Sequence, residues 1–124
     1  MENLIIRETN RTPKIEFSVN GKLSISGRGM ATDPKLFYKS AVDWVDSYLK
    51  DPSTLTEISI ILEYVQSGDV RIIMEILSKF NALKDTNHKV VINWYYENGD
   101  DDQKDLGDSI SESMKLPFNL IELD

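Results

Sequence analysis

The Ser67 hydroxyl is the side chain best placed for chemistry. It stands in Gln66-Ser67-Gly68-Asp69, between an apolar run, Ile58 to Val65, and an apolar helical pattern, Val70 to Phe80. A buried strand, a tight turn and a helix in that order leave backbone N–H groups unpaired at the helix start, where a phosphate or a partner's acidic group can be received. A hydroxyl at such a turn is open to phosphorylation, which adds about −1.5 to −2 charge and three strong acceptor oxygens. The plainer role for Ser67 is to cap the helix, since serine ranks near the top of N-cap preferences. The two roles are compatible.

The other chemically capable residues point to structure. His88 is the only histidine, sits in a predicted turn and has no nucleophile or metal-ligand spacing around it, so a surface role is expected. Asp100, Asp101, Asp102 and Asp105 lack the alternating ligands and the later bidentate glutamate of a calcium loop, whereas acidic residues at a helix start follow from the helix dipole. Gly27 and Gly29 resemble part of a phosphate loop, but no lysine and helix complete it. Trp94, Tyr95 and Tyr96 could stack a ring, although aromatic residues in a strand more often pack a sheet face. With no cysteine, disulfides, thiol catalysis and thiolate metal sites are excluded. The residues therefore predict a protein that is not an enzyme and holds no metal or cofactor.

The elements that carry Ser67 can be read from periodicity. Leu4-Ile5-Ile6 reads as an edge strand or extended lead-in before Pro13. Ile15, Phe17 and Val19, then Leu23 and Ile25, alternate with polar residues around Asn20-Gly21, which predicts a hairpin with a type I′ turn. Asp33-Pro34 starts a helix with an N-cap carboxylate and a proline at the first position. Its apolar stripe is Phe37, Ala41, Trp44, Val45, Tyr48 and Leu49, and Asp51-Pro52-Ser53 closes it. Ile58 to Val65 is apolar on both faces over most of its length, so a central strand covered by helices is expected. In the next helix Val70, Ile73, Met74, Leu77 and Phe80 form the core stripe. Ile72, Ile76 and Leu83 widen it, through deeper burial or as a docking surface. A strand from Val90 to Tyr95, a helix from Asp101 or Asp102 to Met114, and a strand from Phe118 to Leu123 follow. The predicted fold class is α/β: one domain over residues 1–124, element order ββαβαβαβ, with helices packed against a mixed sheet.

Length and charge bound the partners. The chain has 124 residues, enough for one ordinary core. A net charge of −7 disfavours nucleic acid and anionic lipid as partners. No apolar run reaches a membrane span, and the first residues lack the basic flank of a signal peptide, so a cytoplasmic location is expected.

A resemblance sharpens this reading. Thr12-Pro13 with Ile15, Gly21 with Leu23, Phe37 with Trp44-Val45 and Tyr48-Leu49, Leu62 to Ser67, Ile92-Asn93-Trp94-Tyr95-Tyr96-Glu97, and Leu116-Pro117-Phe118 occur in an order and spacing similar to the SiaC family of bacterial regulatory phosphoproteins. The arrangement also resembles the STAS, or anti-sigma-factor antagonist, architecture, in which a phosphorylatable Ser or Thr opens the helix after a central strand. The resemblance implies a partner-switching protein. A protein kinase phosphorylates it, a PP2C-like phosphatase reverses this, and the unphosphorylated form binds and activates a diguanylate cyclase. Family members usually carry Asn-Thr-Ser-Ser where this chain has Gln66-Ser67-Gly68-Asp69, so Ser67 takes the position of the phosphorylated threonine. Partner contacts are then expected from Gln66, Ser67, Gly68, Asp69, Arg71, Ile72 and Ile76. The competing expectation is a STAS-like sensor that binds a small ligand or nucleotide, with Trp94 to Tyr96 as pocket walls.

Overall fold

The computed structural model describes residues 1–124. Two alternating runs form the predicted hairpin, β2 (Lys14–Phe17) and β3 (Lys22–Gly29), with Ile15, Phe17, Leu23 and Ile25 buried. The turn differs from the predicted two-residue form. It spans Ser18 to Gly21, closed by Gly21 N donating to Ser18 O (3.0 Å), and among these residues only Gly21 has a positive φ, +99°. A side chain at Gly21 would collide with the Leu55 carbonyl, so this turn is fitted to the neighbouring strand. The first apolar patch is an edge strand, β1 (Leu4–Ile6), paired antiparallel to β2.

Three further strands complete the sheet: β4 (Leu55–Val65), β5 (Lys89–Glu97) and β6 (Phe118–Leu123). Their order across the sheet is β1-β2-β3-β4-β5-β6, antiparallel from β1 to β3 and parallel from β3 to β6. β1 thus adds a sixth strand to the ββαβαβαβ order, and β4 lies inside the sheet as expected. It starts three residues earlier than its apolar run and is not covered on both faces. Ile58, Ile60 and Leu62 are buried, whereas Ile61 and Glu63 are exposed. Each parallel crossover steps in the same direction along the sheet, and right-handed crossovers of that kind put every helix on one side. The other face is left open.

Four helices cover the closed face. The predicted helix after Asp33 is broken in two, α1 (Pro34–Phe37) and α2 (Lys39–Tyr48). Asp33 caps α1 by accepting from Leu36 N at 3.2 Å. The break falls at Tyr38, which is fully buried and lies on the same stripe as Ala41 and Val45, three and seven residues on. α3 (Ser67–Lys79) runs into a 3-10 turn, Phe80–Leu83. Ile73, Ile76, Leu77, Phe80 and Leu83 are buried, while Ile72 is half-buried, so most of the surplus apolar arc belongs to the core. α4 (Asp101–Glu112) packs so closely on β5 that a Cβ at Gly107 would lie 2.5 Å from the Trp94 ring. No helix is long and apolar enough to cross a membrane.

Candidate functional site

β4 ends at Val65 and α3 begins two residues later, so the turn between them is as short as the sequence suggests. Gln66 holds the N-cap position in extended geometry (φ −82°, ψ 158°), and its N–H donates to Gly29 O at 2.8 Å. Its side chain makes no capping bond. Ser67 is therefore the first helical residue and not the cap, which corrects the plainer reading of its role. It is exposed, and its hydroxyl has no hydrogen-bond partner within the chain. Arg71 is also exposed and lies one turn on, the spacing at which two helical side chains are neighbours.

Gly68 and Asp69 turn inward. A Cβ at Gly68 would lie 3.2 Å from Pro34 Cγ, so the start of α1 rests on the first turn of α3. Asp69 is 0% exposed. Its Oδ2 accepts from the Tyr38 hydroxyl at 2.7 Å and from Ala31 N at 3.3 Å, while Oδ1 has no partner. A Cβ at Gly29 would come within 3.3 Å of this carboxylate, so the end of β3 closes over it as well. Burial first, and then the bond and charge of Asp69, push the Tyr38 phenol well above its ordinary value, and it stays neutral at any ordinary pH.

Beside the turn, α1, α2 and α3 enclose an open groove of about 490 Å³ lined by Asp33, Lys35, Leu36, Lys39, Val42, Ile72 and Glu75. Leu36 is 70% exposed there, an apolar side chain with little intramolecular packing. Gln66, Ser67, Gly68, Arg71 and Ile72 are at least partly accessible along this side. Asp69 and Ile76, also expected among partner contacts, are buried at 0% and 1% because they point under α3 towards Tyr38 and the sheet. They cannot touch a partner in this conformation. Leu36 and Tyr38 were not anticipated. The signal for Tyr38 was its place on the stripe of α2, whereas the exposure of Leu36 depends on how α1 breaks away.

His88, Asp100 and Trp94 make contacts that hold the fold. The His88 ring makes a 3.2 Å hydrogen bond through Nδ1 with Ser53 O. Asp100 caps α4 by accepting from Gln103 N at 3.1 Å. Trp94 is 1% exposed and donates from Nε1 to Gln103 O at 3.0 Å, which removes it as the wall of a ligand pocket.

Fold and site together describe a class: a small α/β domain in which an exposed hydroxyl opens the helix after an interior strand. The chain belongs to the SiaC family of regulatory phosphoproteins, whose sequence pattern matches residues 6–123. An uncharacterised protein of Pseudomonas aeruginosa strain UCBPP-PA14 is 24% identical over 119 residues, 95% of this chain and 94% of that protein. The fold is that of SiaC of Pseudomonas aeruginosa, with a TM-score of 0.90 at 23% identity, covering 99% of this chain and 100% of that one. A similar match, with a TM-score of 0.90 at 23% identity over 97% of this chain and 99% of that one, is to the crystal structure of the Pseudomonas diguanylate cyclase SiaD in complex with its activator SiaC.

Proposed function

We propose that this chain is a non-enzymatic partner switch whose unmodified form binds and activates a diguanylate cyclase, and that phosphorylation of Ser67 releases it. A protein kinase installs the phosphate and a PP2C-like phosphatase removes it, in the cytoplasm. The observation that carries this reading is the placement of Ser67: exposed, free of internal hydrogen bonds and first in an uncapped helix. A kinase can reach such a hydroxyl without unfolding anything. The product would be an anion beside unpaired N–H groups at the positive end of a helix dipole. Family membership and the activator role of Pseudomonas SiaC towards SiaD support the same reading.

The partner surface consists of Gln66, Ser67, Gly68, Arg71 and Ile72, continued by Leu36 in the adjoining groove. A helix or loop of the cyclase that buries Leu36 and Ile72 would leave a phosphate on Ser67 at the contact edge, where its desolvation and charge oppose binding. The reading is tested by incubating the protein with the kinase of its own signalling system and mapping the phosphate by mass spectrometry. Modification at Ser67, absent from Ser67→Ala, is expected. Modification confined to other residues would remove Ser67 from the mechanism.

A further inference from the structure

Asp69 stands two residues from Ser67 and holds three separate segments together. It belongs to α3, it accepts from Ala31 N in the loop between β3 and α1, and it accepts from the Tyr38 hydroxyl at the break between α1 and α2. Gly68 against Pro34 and Gly29 against Asp69 close the same joint. Both hydrogen bonds fall on Oδ2, so Oδ1 is a fully buried carboxylate oxygen with no donor. Asp69 takes part in no ion pair. A buried carboxylate without a cation is sensitive to any further negative charge nearby, because little solvent lies between them to screen it.

We propose that Asp69 is the positioning residue through which phosphorylation of Ser67 reaches α1: the phosphate repels the buried carboxylate, its bonds to Tyr38 and Ala31 break, and the loop and α1 come away from α3. The groove lined by Leu36, Val42 and Ile72 is then lost as a docking surface. The joint is built to fail in this way. The N–H groups that attract the phosphate belong to the same first turn as Asp69, so a phosphate bound there lies within one helical turn of the buried carboxylate. Asp69 can retreat towards water only by giving up both acceptor bonds. This inference rests on Ser67 being the modified residue, and it adds how the modification is read out.

The test needs neither kinase nor cyclase. Phosphoserine is placed at position 67 during synthesis by codon reassignment, and amide hydrogen exchange is followed in the intact protein over residues 30–38. Phosphoserine should speed exchange in this segment about tenfold or more, as expected for local opening. In Asp69→Asn, whose amide oxygen still accepts from Tyr38 and Ala31 but carries no charge, the same phosphate should change exchange by less than about threefold. Tyr38→Phe supplies a second check should Asp69→Asn fold poorly: it should loosen residues 30–38 without phosphate, and phosphoserine should then add little. Unchanged exchange on phosphorylation, or equal acceleration in Asp69→Asn, would overturn the proposal. Either result would leave partner release by direct blocking intact, so this test and the test of Ser67 as the modified residue can fail separately.

Discussion

Two strand-to-helix junctions lie side by side at the same end of the sheet, and they are built in opposite ways. After β5, the Asp100 side chain accepts from Gln103 N, and the Gln103 carbonyl in turn accepts from Trp94. After β4, Gln66 makes no side-chain cap and Ser67 stands exposed. At both junctions the third helical residue is buried with one side-chain oxygen unpartnered, Oε1 of Gln103 and Oδ1 of Asp69. One is a neutral amide and the other a carboxylate, which is far more costly to bury. The difference separates a junction tied into the fold by its side-chain cap from one that carries an exposed hydroxyl beside a buried, partly unpartnered carboxylate.

The comparison can be broken most severely at Asp69. Asp69→Ala leaves the Tyr38 hydroxyl and Ala31 N–H buried without an acceptor and should destabilise the protein by about 2–4 kcal/mol in urea unfolding. On the other side, Gly107→Ala forces a methyl group into the Trp94 ring and should cost about 1–3 kcal/mol by the same measurement. The caps should respond with opposite signs. Asp100→Ala should lose about 1 kcal/mol, whereas Gln66→Ser, at an extended N-cap that lacks a side-chain bond, should gain about 0.5–1 kcal/mol. Equal losses at both positions would end the contrast.

The smallest effect is the pH dependence of the Asp69 joint. The folded-state value of Tyr38 is raised above its unfolded value of 10.0, so its contribution to stability is complete below pH 10 and is lost as pH rises above it. Unfolding above that pH releases a proton that the folded protein retains. Thermal denaturation should show a steeper alkaline decline in the parent than in Tyr38→Phe.

Much of this was legible in the sequence, for reasons that also explain what was not. The alternation around Asn20-Gly21, Asp33-Pro34 and the apolar run before Gln66 report local geometry, and the structure contains a hairpin, a helix start and a strand-to-helix turn at those places. The coverage of β4 depends on the direction of every crossover in the sheet, which no local pattern records. The break at Tyr38 and the burial of Asp69 were hidden for a related reason. A carboxylate in a first helical turn ordinarily faces solvent to complement the dipole. Only the approach of α1 and the end of β3 turns this one inward. The position of Ser67 was readable from spacing, but its freedom from capping was not, because Gln66 takes the cap geometry without supplying a cap.

The most direct test of the central claim is a titration of a diguanylate cyclase from the same organism with three forms of the protein: unmodified, Ser67→Ala, and carrying phosphoserine at position 67. Cyclic dinucleotide production should rise saturably with the first two and stay at its basal rate with the third. Equal activation by the phosphorylated form, or none by the unmodified one, would contradict the account.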